Sequence, residues 1–223
     1  LNLRPGRRYP LIITQYRARG FLGAGVSGEY PVLPMSARSY FVLVVDRPQD
    51  EARASRLPFA DYQRETELSG SELDVKINSI ALMLQHLRSE RTIDMDRLAI
   101  TGMSDGAETL FALLNRGWRF RAAIASTNPS DRSLWWLMSN TYRRDLQRRL
   151  AITAPWTTPG DEWSAWWNRN AAVDHAPTYS APLLLNLPET EILVAMPLIT
   201  RLREEGRPLE AYLYAGAHHL TPR

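Results

Sequence analysis

Short apolar runs of strand length recur along the chain and alternate with segments of helical periodicity. Most of the runs have few polar interruptions, which is typical of parallel strands covered on both faces of a sheet. They lie at residues 10–16, 40–46, 98–100, 120–126, 181–187 and 208–214, and only the last shows clear alternation. Strands that alternate with helices over this length predict an α/β fold, with a mainly parallel central sheet flanked by helices.

Three segments between these runs carry a helical pattern. Apolar residues from Leu73 to Leu87 recur at helical spacing after Ser71, and the first turn of this segment is acidic. Good helix formers fill residues 107–115, and the helical pattern of residues 192–205 ends at Gly206.

Two regions depart from this alternation. Residues 50–70 are polar and predict a surface excursion. Residues 130–180 show helical patterns with a high aromatic content, and we expect them to form a helical insertion within a single domain that covers residues 1–223. The tryptophans of this region are Trp135, Trp136, Trp156, Trp163, Trp166 and Trp167.

The turn between the run at 98–100 and the helix at 107–115 has the sequence Gly-Met-Ser-Asp-Gly, residues 102–106. A G-x-S-x-G motif between a strand and a helix is typical of a nucleophile elbow. Its glycines remove the Cβ atoms that would clash in a sharp turn, and the following helix directs free N–H groups at the reaction centre. The pattern predicts Ser104 as a nucleophile; the alternative is a glycine-rich turn in which the serine caps a helix.

A nucleophilic serine needs a histidine to accept its proton, and the chain offers four histidines. In the α/β-hydrolase order, the acid and then the histidine follow the serine. His86 precedes the serine and is expected on the surface near a helix end, and His175 precedes the strand that should carry the acid. The remaining candidates are His218 and His219, which follow the last predicted strand.

The acid should lie in the loop after the run at 181–187. That loop contains Glu189 and Glu191 and no Asp. Either carboxylate could instead be a favourable acidic residue at the start of the next helix. The loop therefore predicts one acid of a catalytic triad and leaves two candidates for it.

Composition narrows the function classes. The 223 residues are 44% hydrophobic, which suffices for one large domain with a core, and no cysteine is present. The absence of cysteine excludes disulfides, thiolate metal sites and cysteine nucleophiles. With no secretory signal and no apolar run near the roughly 20 residues that span a bilayer, we expect no membrane partner and a cytoplasmic location. The net charge is only +3 and the arginines are spread along the chain, so we expect no nucleic-acid partner.

Together these motifs resemble the hydrolase domain of prolyl oligopeptidase-type serine peptidases. Within that family, the chain is most similar to the lasso peptide isopeptidases. The resemblance rests on Tyr-Arg-Ala-Arg-Gly-Phe-Leu at 16–22, Glu-Tyr-Pro at 29–31, Gly-Met-Ser-Asp-Gly-Ala-Glu at 102–108, Glu-Thr-Glu at 189–191 and His-His at 218–219. It implies an α/β-hydrolase fold and hydrolysis of the isopeptide bond that closes the macrolactam ring of a lasso peptide, without a metal or other cofactor.

The resemblance also assigns the triad. It implies Ser104 as the nucleophile and His219 as the base, with His218 as second choice. The acid falls on Glu191, with Glu189 as second choice, where relatives have Asp. The longer side chain adds one methylene that the loop must accommodate.

Further roles come from the same resemblance. It implies that the Asp105 backbone N–H and the Tyr16 hydroxyl form the oxyanion hole, although a tyrosine at a strand end often serves packing alone. Arg17 and Arg19, together with the tryptophans of residues 130–180, are candidate contacts for a bulky peptide. Those tryptophans could equally fill an interface between domains.

The family usually carries an N-terminal β-propeller, which nothing in this chain can form, so we expect the chain to be a piece of a longer enzyme. Two other functions are compatible with the same residues. One is a general prolyl oligopeptidase-type peptidase or acyl-peptide hydrolase. The other is a non-catalytic peptide-binding domain that keeps the fold.

Overall fold

In the described part of the chain, the strands form one central six-stranded parallel sheet with the order β2-β1-β3-β4-β5-β6. The computed structural model describes residues 4–15, 32–45, 56–127, 134, 136–137, 139–150, 168 and 171–219. The strands are β1 (Tyr9–Gln15), β2 (Phe41–Val45), β3 (Ile93–Met103), β4 (Ala122–Ser126), β5 (Leu183–Pro188) and β6 (Leu209–Tyr214). This architecture confirms the predicted α/β class.

Helices connect and cover the strands. They are α1 (Val32–Ala37), α2 (Phe59–Ser69), α3 (Ser71–Ser89), α4 (Asp105–Asn115), α5 (Asn140–Leu150), α6 (Ala172–His175) and α7 (Ile192–Glu204). Two short 3₁₀ turns, Ala176–Thr178 and Glu189–Glu191, follow α6 and β5. No helix within these described ranges is long and apolar enough to cross a membrane.

The core lies where α4 packs on the sheet. Nearly every residue of α4 from Gly106 to Leu114 is buried, because this stretch is largely apolar and is enclosed by its neighbours. The inner strands contribute Leu11, Ile13, Ile100 and Leu185, each at most 1% exposed. Burial of α4 fixes the position of its N-terminus, which begins directly after Ser104.

The helical predictions for residues 71–87, 107–115 and 192–205 are confirmed by α3, α4 and α7. Residues 50–70 were predicted only as a polar surface excursion, and α2, which occupies Phe59–Ser69 and packs against α3 and α5, was not predicted. Its sequence has few apolar positions, so no amphipathic stripe marks it as a helix. Helix α1 was not predicted either, because six residues are too few for a periodic pattern.

Strand β6 forms as expected, but its alternating sequence is not matched by alternating burial. Tyr212, Leu213 and Tyr214 are all substantially exposed. Within the described residues, β6 is one of the two edge strands and pairs with β5 alone. An edge strand lacks a neighbouring strand on one side, so its side chains have fewer neighbours than those of the inner strands.

The predicted insertion at residues 130–180 is described in part. Helix α5 and the short helix α6 lie in it, and Trp136 is buried. The other five tryptophans of the region lie outside the described residues. The insertion therefore stays a prediction.

Candidate active site

The chain makes a sharp turn at Ser104, between β3 and α4. Ser104 has φ 53° and ψ −117°, a conformation that costs a residue with a Cβ atom about 1–3 kcal/mol. A Cβ atom on Gly102 would lie 2.2 Å from the carbonyl oxygen of Gly106, so the turn closes only with glycine at position 102. The two glycines of the motif thus meet across the turn and leave the serine projecting at its tip.

Hydrogen bonds to the end of β4 hold the strained serine in place. Its N–H donates to the Ser126 carbonyl and to Thr127 Oγ1, both at 3.0 Å. Thr127 itself has φ 63°, an unusual conformation for a β-branched residue. The end of β4 is therefore shaped to support the backbone of the elbow.

The first turn of α4 offers a free donor beside the serine. The Ser104 carbonyl accepts hydrogen bonds from the N–H groups of Ala107 and Glu108, at 2.9 and 3.1 Å. No acceptor for the Asp105 N–H is found in the described part of the chain. A donor in this place, at the positive end of the helix dipole, is suited to an oxyanion formed near Ser104 Oγ.

His219 lies in the loop after β6 and bridges the serine to a carboxylate. Its Nε2 atom lies 2.8 Å from Ser104 Oγ, and its Nδ1 atom lies 2.5 Å from Glu191 Oε1. With the proton on Nδ1, the ring donates to the carboxylate and accepts the serine O–H. The side chain of Glu191 is fully buried, whereas that of His219 is 38% exposed. The structure thus joins Ser104, His219 and Glu191, contributed by the ends of three strands, in one chain of contacts.

The second-choice residues lie elsewhere in the same loops. Glu189 Oε2 accepts a hydrogen bond from the Gly216 N–H at 2.7 Å, and this contact ties the loop after β5 to the loop that carries the histidine. The side chain of His218 is exposed. The contacts that link Ser104 to a carboxylate are formed by His219 and Glu191, and not by His218 or Glu189.

One charged residue near the elbow was not identified from the sequence as a site residue. Lys76 on α3 is 1% exposed, and its Nζ atom lies 2.6 Å from Asp105 Oδ1 and 3.1 Å from Glu72 Oε1. A lysine beside an otherwise apolar helical stripe is usually solvated. The signal that could have identified it is that Lys76 is the only lysine of the chain.

Three predicted site residues, Tyr16, Arg17 and Arg19, lie outside the described residues. Strand β1, which precedes them, ends at Gln15 and pairs with β3 next to Gly102. Their predicted roles stay predictions.

The strand order and the site's position together define the protein class. The three loops that carry Ser104, Glu191 and His219 all follow the carboxyl ends of parallel strands, where open α/β sheets bind ligands. A serine on a strand-to-helix elbow, followed along the chain by an acid and then a histidine, is typical of the α/β-hydrolase fold.

Comparison with known proteins gives the family. Residues 67–223 match the model of the prolyl oligopeptidase family, and the chain belongs to this family of serine peptidases. A curated relative, the lasso peptide isopeptidase AtxE2 of Asticcacaulis excentricus, is 31% identical over 217 residues. The match covers 96% of this chain and 30% of the relative, so the chain spans about a third of the length of that protein.

Solved structures agree with this assignment. The chain is similar to AtxE2 without ligand (TM-score 0.83) and to a serine-to-alanine variant of AtxE2 with Astexin3-dC4 bound (TM-score 0.82). Both are 26% identical in sequence, and each match covers 98% of this chain and 33% of the other. The acylaminoacyl peptidase of Pyrococcus horikoshii shares the fold at 18% identity, with a TM-score of 0.72 over 98% of this chain and 34% of the other.

Proposed function

We propose that this chain is the catalytic domain of a lasso peptide isopeptidase. It hydrolyses the amide between the N-terminal amine of the peptide and an Asp or Glu side chain, which opens the macrolactam ring. The observation that carries the proposal is the row of contacts Ser104–His219–Glu191, with separations of 2.8 and 2.5 Å. The substrate class rests on the similarity to AtxE2, whose solved structure holds a bound astexin.

The proposed reaction begins with His219 as the general base. The imidazole takes the proton of Ser104 Oγ as this oxygen attacks the isopeptide carbonyl carbon. Glu191 stabilises the resulting imidazolium and keeps the ring in the tautomer that the reaction requires. The Asp105 N–H, together with the Tyr16 hydroxyl, donates to the tetrahedral oxyanion.

Collapse of the tetrahedral intermediate breaks the C–N bond. His219 gives its proton to the departing amine, which becomes the free N-terminus of the peptide, and the Asp or Glu side chain remains as an ester on Ser104. Water then attacks this ester with His219 again as the base, and Ser104 Oγ recovers its proton. The net reaction adds one water to the peptide.

Substrate binding and domain organisation belong to the same proposal. Arg17, Arg19 and the tryptophans of residues 130–180 contact the threaded peptide. The chain spans 30% of AtxE2, and we place it in a longer protein whose N-terminal β-propeller restricts access to the site. The expected cytoplasmic location is open to test by cell fractionation.

Two experiments on the full-length protein test the proposal. In the first, a fluorophosphonate probe should label the protein, and Ser104→Ala should abolish labelling. His219→Ala should reduce labelling strongly, whereas the matched control His218→Ala should not. Absence of labelling in the intact protein would favour the non-catalytic peptide-binding alternative.

The second experiment separates an isopeptidase from a general peptidase. The protein is incubated with a lasso peptide and, separately, with its linear form, and the products are followed by mass spectrometry. The expected result is a gain of one water by the lasso peptide and no cleavage of the linear peptide. Cleavage of the linear peptide, or release of an acylated N-terminal residue, would instead support the acyl-peptide hydrolase alternative, for which the fold shared with the Pyrococcus enzyme is the observation in favour.

A further inference from the structure

Lys76 is a buried ammonium that the proposed reaction does not use. Its side chain is 1% exposed and contacts two carboxylates, Asp105 at 2.6 Å and Glu72 at 3.1 Å. Both carboxylates remain partly exposed, at 25% and 22%. Burying a lysine costs free energy even when it is paired, and an apolar side chain would join two helices more cheaply. The placement of the charge therefore needs a reason other than helix packing.

The reason lies in the position of Asp105, which follows Ser104 and begins α4. The backbone N–H of this residue is the proposed oxyanion donor, and its side chain carries a negative charge within one side-chain length of that donor. A carboxylate so close to a developing oxyanion opposes the charge that the site must stabilise, and water screens it only in part. A cation in direct contact with the carboxylate offsets this opposition.

We propose that Lys76 is a positioning residue of the oxyanion hole. Its ammonium neutralises and orients the Asp105 side chain, so that the Asp105 N–H acts on the oxyanion without repulsion from the carboxylate of the same residue. This inference rests on the proposed function of Ser104 and Asp105. It adds a group on α3 that acts through Asp105 and does not touch the substrate.

The structure provides a matched control. Asp74 of α3 and Arg116, at the other end of α4, form a second ion pair between the same two helices at 2.5 Å. This pair is exposed, and Arg116 is remote from Ser104 by the length of the helix. If both ion pairs only join the helices, Lys76→Met and Arg116→Met should each lower the stability of the protein. Neither variant should then change the catalytic rate.

The test measures, on the full-length protein, the rate constant of fluorophosphonate labelling and the kcat and KM for the lasso peptide. Lys76→Met should lower kcat and the labelling rate about 10- to 100-fold with KM little changed, because the lost interaction acts on the transition state. Arg116→Met should retain both rates. In the double variant Lys76→Met/Asp105→Asn, kcat and the labelling rate should return most of the way to the wild-type values, because the asparagine side chain at position 105 carries no charge that needs a cation.

A double variant as slow as Lys76→Met, or a single variant with the native rate, would overturn the inference. If Lys76→Met does not fold, Lys76→Gln replaces it, because its amide can still donate to Asp105 without a charge. Failure of both variants to fold would make Lys76 a structural residue and would also contradict the inference. Fluorophosphonate labelling measures the reactivity of Ser104 even if the lasso peptide proves not to be the substrate. Failure of the inference about Lys76 can therefore be distinguished from failure of the proposed function.

Discussion

Glu191 Oε1 lies 2.5 Å from His219 Nδ1, and the glutamate side chain is fully buried. Burying a carboxylate costs free energy, and a paired histidine offsets part of this cost. Glu191 ends a 3₁₀ turn directly after β5, and from this position its carboxylate reaches the histidine ring.

The first prediction concerns the length and charge of this side chain. Glu191→Gln should lower kcat about 10⁴-fold, because an amide favours the wrong imidazole tautomer. Glu191→Asp should lower kcat about 10²-fold, since the shorter carboxylate no longer reaches Nδ1 and the ring is misplaced. Steady-state kinetics on the lasso peptide measure both effects. A Gln variant with native kcat would remove Glu191 from the proposed triad.

The second prediction concerns Glu189, whose carboxylate accepts the Gly216 N–H at 2.7 Å. Glu189→Ala should lower kcat about tenfold, because the loop that carries His219 loses an anchor. Glu189→Gln should stay near the native rate, since the amide oxygen can accept the same hydrogen bond. A near-native kcat in Glu189→Gln together with a large loss of kcat in Glu191→Gln would show that Glu189 holds the loop in place and that Glu191 is the triad acid. A large loss in Glu189→Gln would favour Glu189 as the acid.

The sequence was sufficient for the fold class and for the region of the site. Strands β1 and β5 are short apolar runs bounded by polar or proline residues, and burial on both faces of a parallel sheet produces that pattern directly. The elbow was predictable because Gly102 and Gly106 must pack against each other whatever the rest of the chain does. These features depend on local sterics and hydrophobic burial, which residue types reveal.

Features that depend on contacts between distant residues could not be predicted from the residue pattern itself, and only the family resemblance ranked Glu191 and His219 first. Two glutamates two residues apart have the same chemistry, and only the fold brings one to His219 and the other to Gly216. The pairing of Lys76 with Asp105 joins residues 29 positions apart and has no local signature. Helix α2 was missed because tertiary packing against α3 and α5, and not periodicity, defines it.

The third prediction tests the elbow itself. Gly102→Ala places a Cβ atom 2.2 Å from the Gly106 carbonyl oxygen, so the backbone of the elbow must shift. We expect a loss of about 3 kcal/mol in the free energy of unfolding and loss of fluorophosphonate labelling. Thermal unfolding and probe labelling measure the two effects.

Gly206→Ala is the control for this substitution. Gly206 has φ 62°, and a Cβ atom there would have no atom within 4 Å. It follows α7 at the end remote from Glu191, about 20 Å along the helix. The control should lose about 1 kcal/mol through backbone strain and keep native labelling. Native labelling in Gly102→Ala would contradict the steric account of the elbow.

The fourth prediction concerns stability at high pH. Tyr179 is 2% exposed, stacks on Phe111 and donates a hydrogen bond to Asn115 Oδ1 at 2.5 Å. Burial raises the pKa of this phenol well above its usual value of 10.0. Above pH 10 only the unfolded chain ionises at this residue, so stability is complete below that pH and falls as the pH rises, by up to about 1.4 kcal/mol per pH unit.

Tyr179→Phe isolates this contribution. The variant should lose about 1 kcal/mol at pH 8, because Asn115 loses its hydrogen-bond donor, and should show a shallower decline above pH 10. Urea unfolding of both proteins between pH 8 and 11 gives the difference in free energy of unfolding. That difference should shrink and then change sign as the pH rises, because only the wild-type chain has a phenol at position 179, and its ionisation in the unfolded state favours unfolding. Parallel curves over the whole range would mean that Tyr179 ionises equally well in the folded protein, and that its burial does not control alkaline stability.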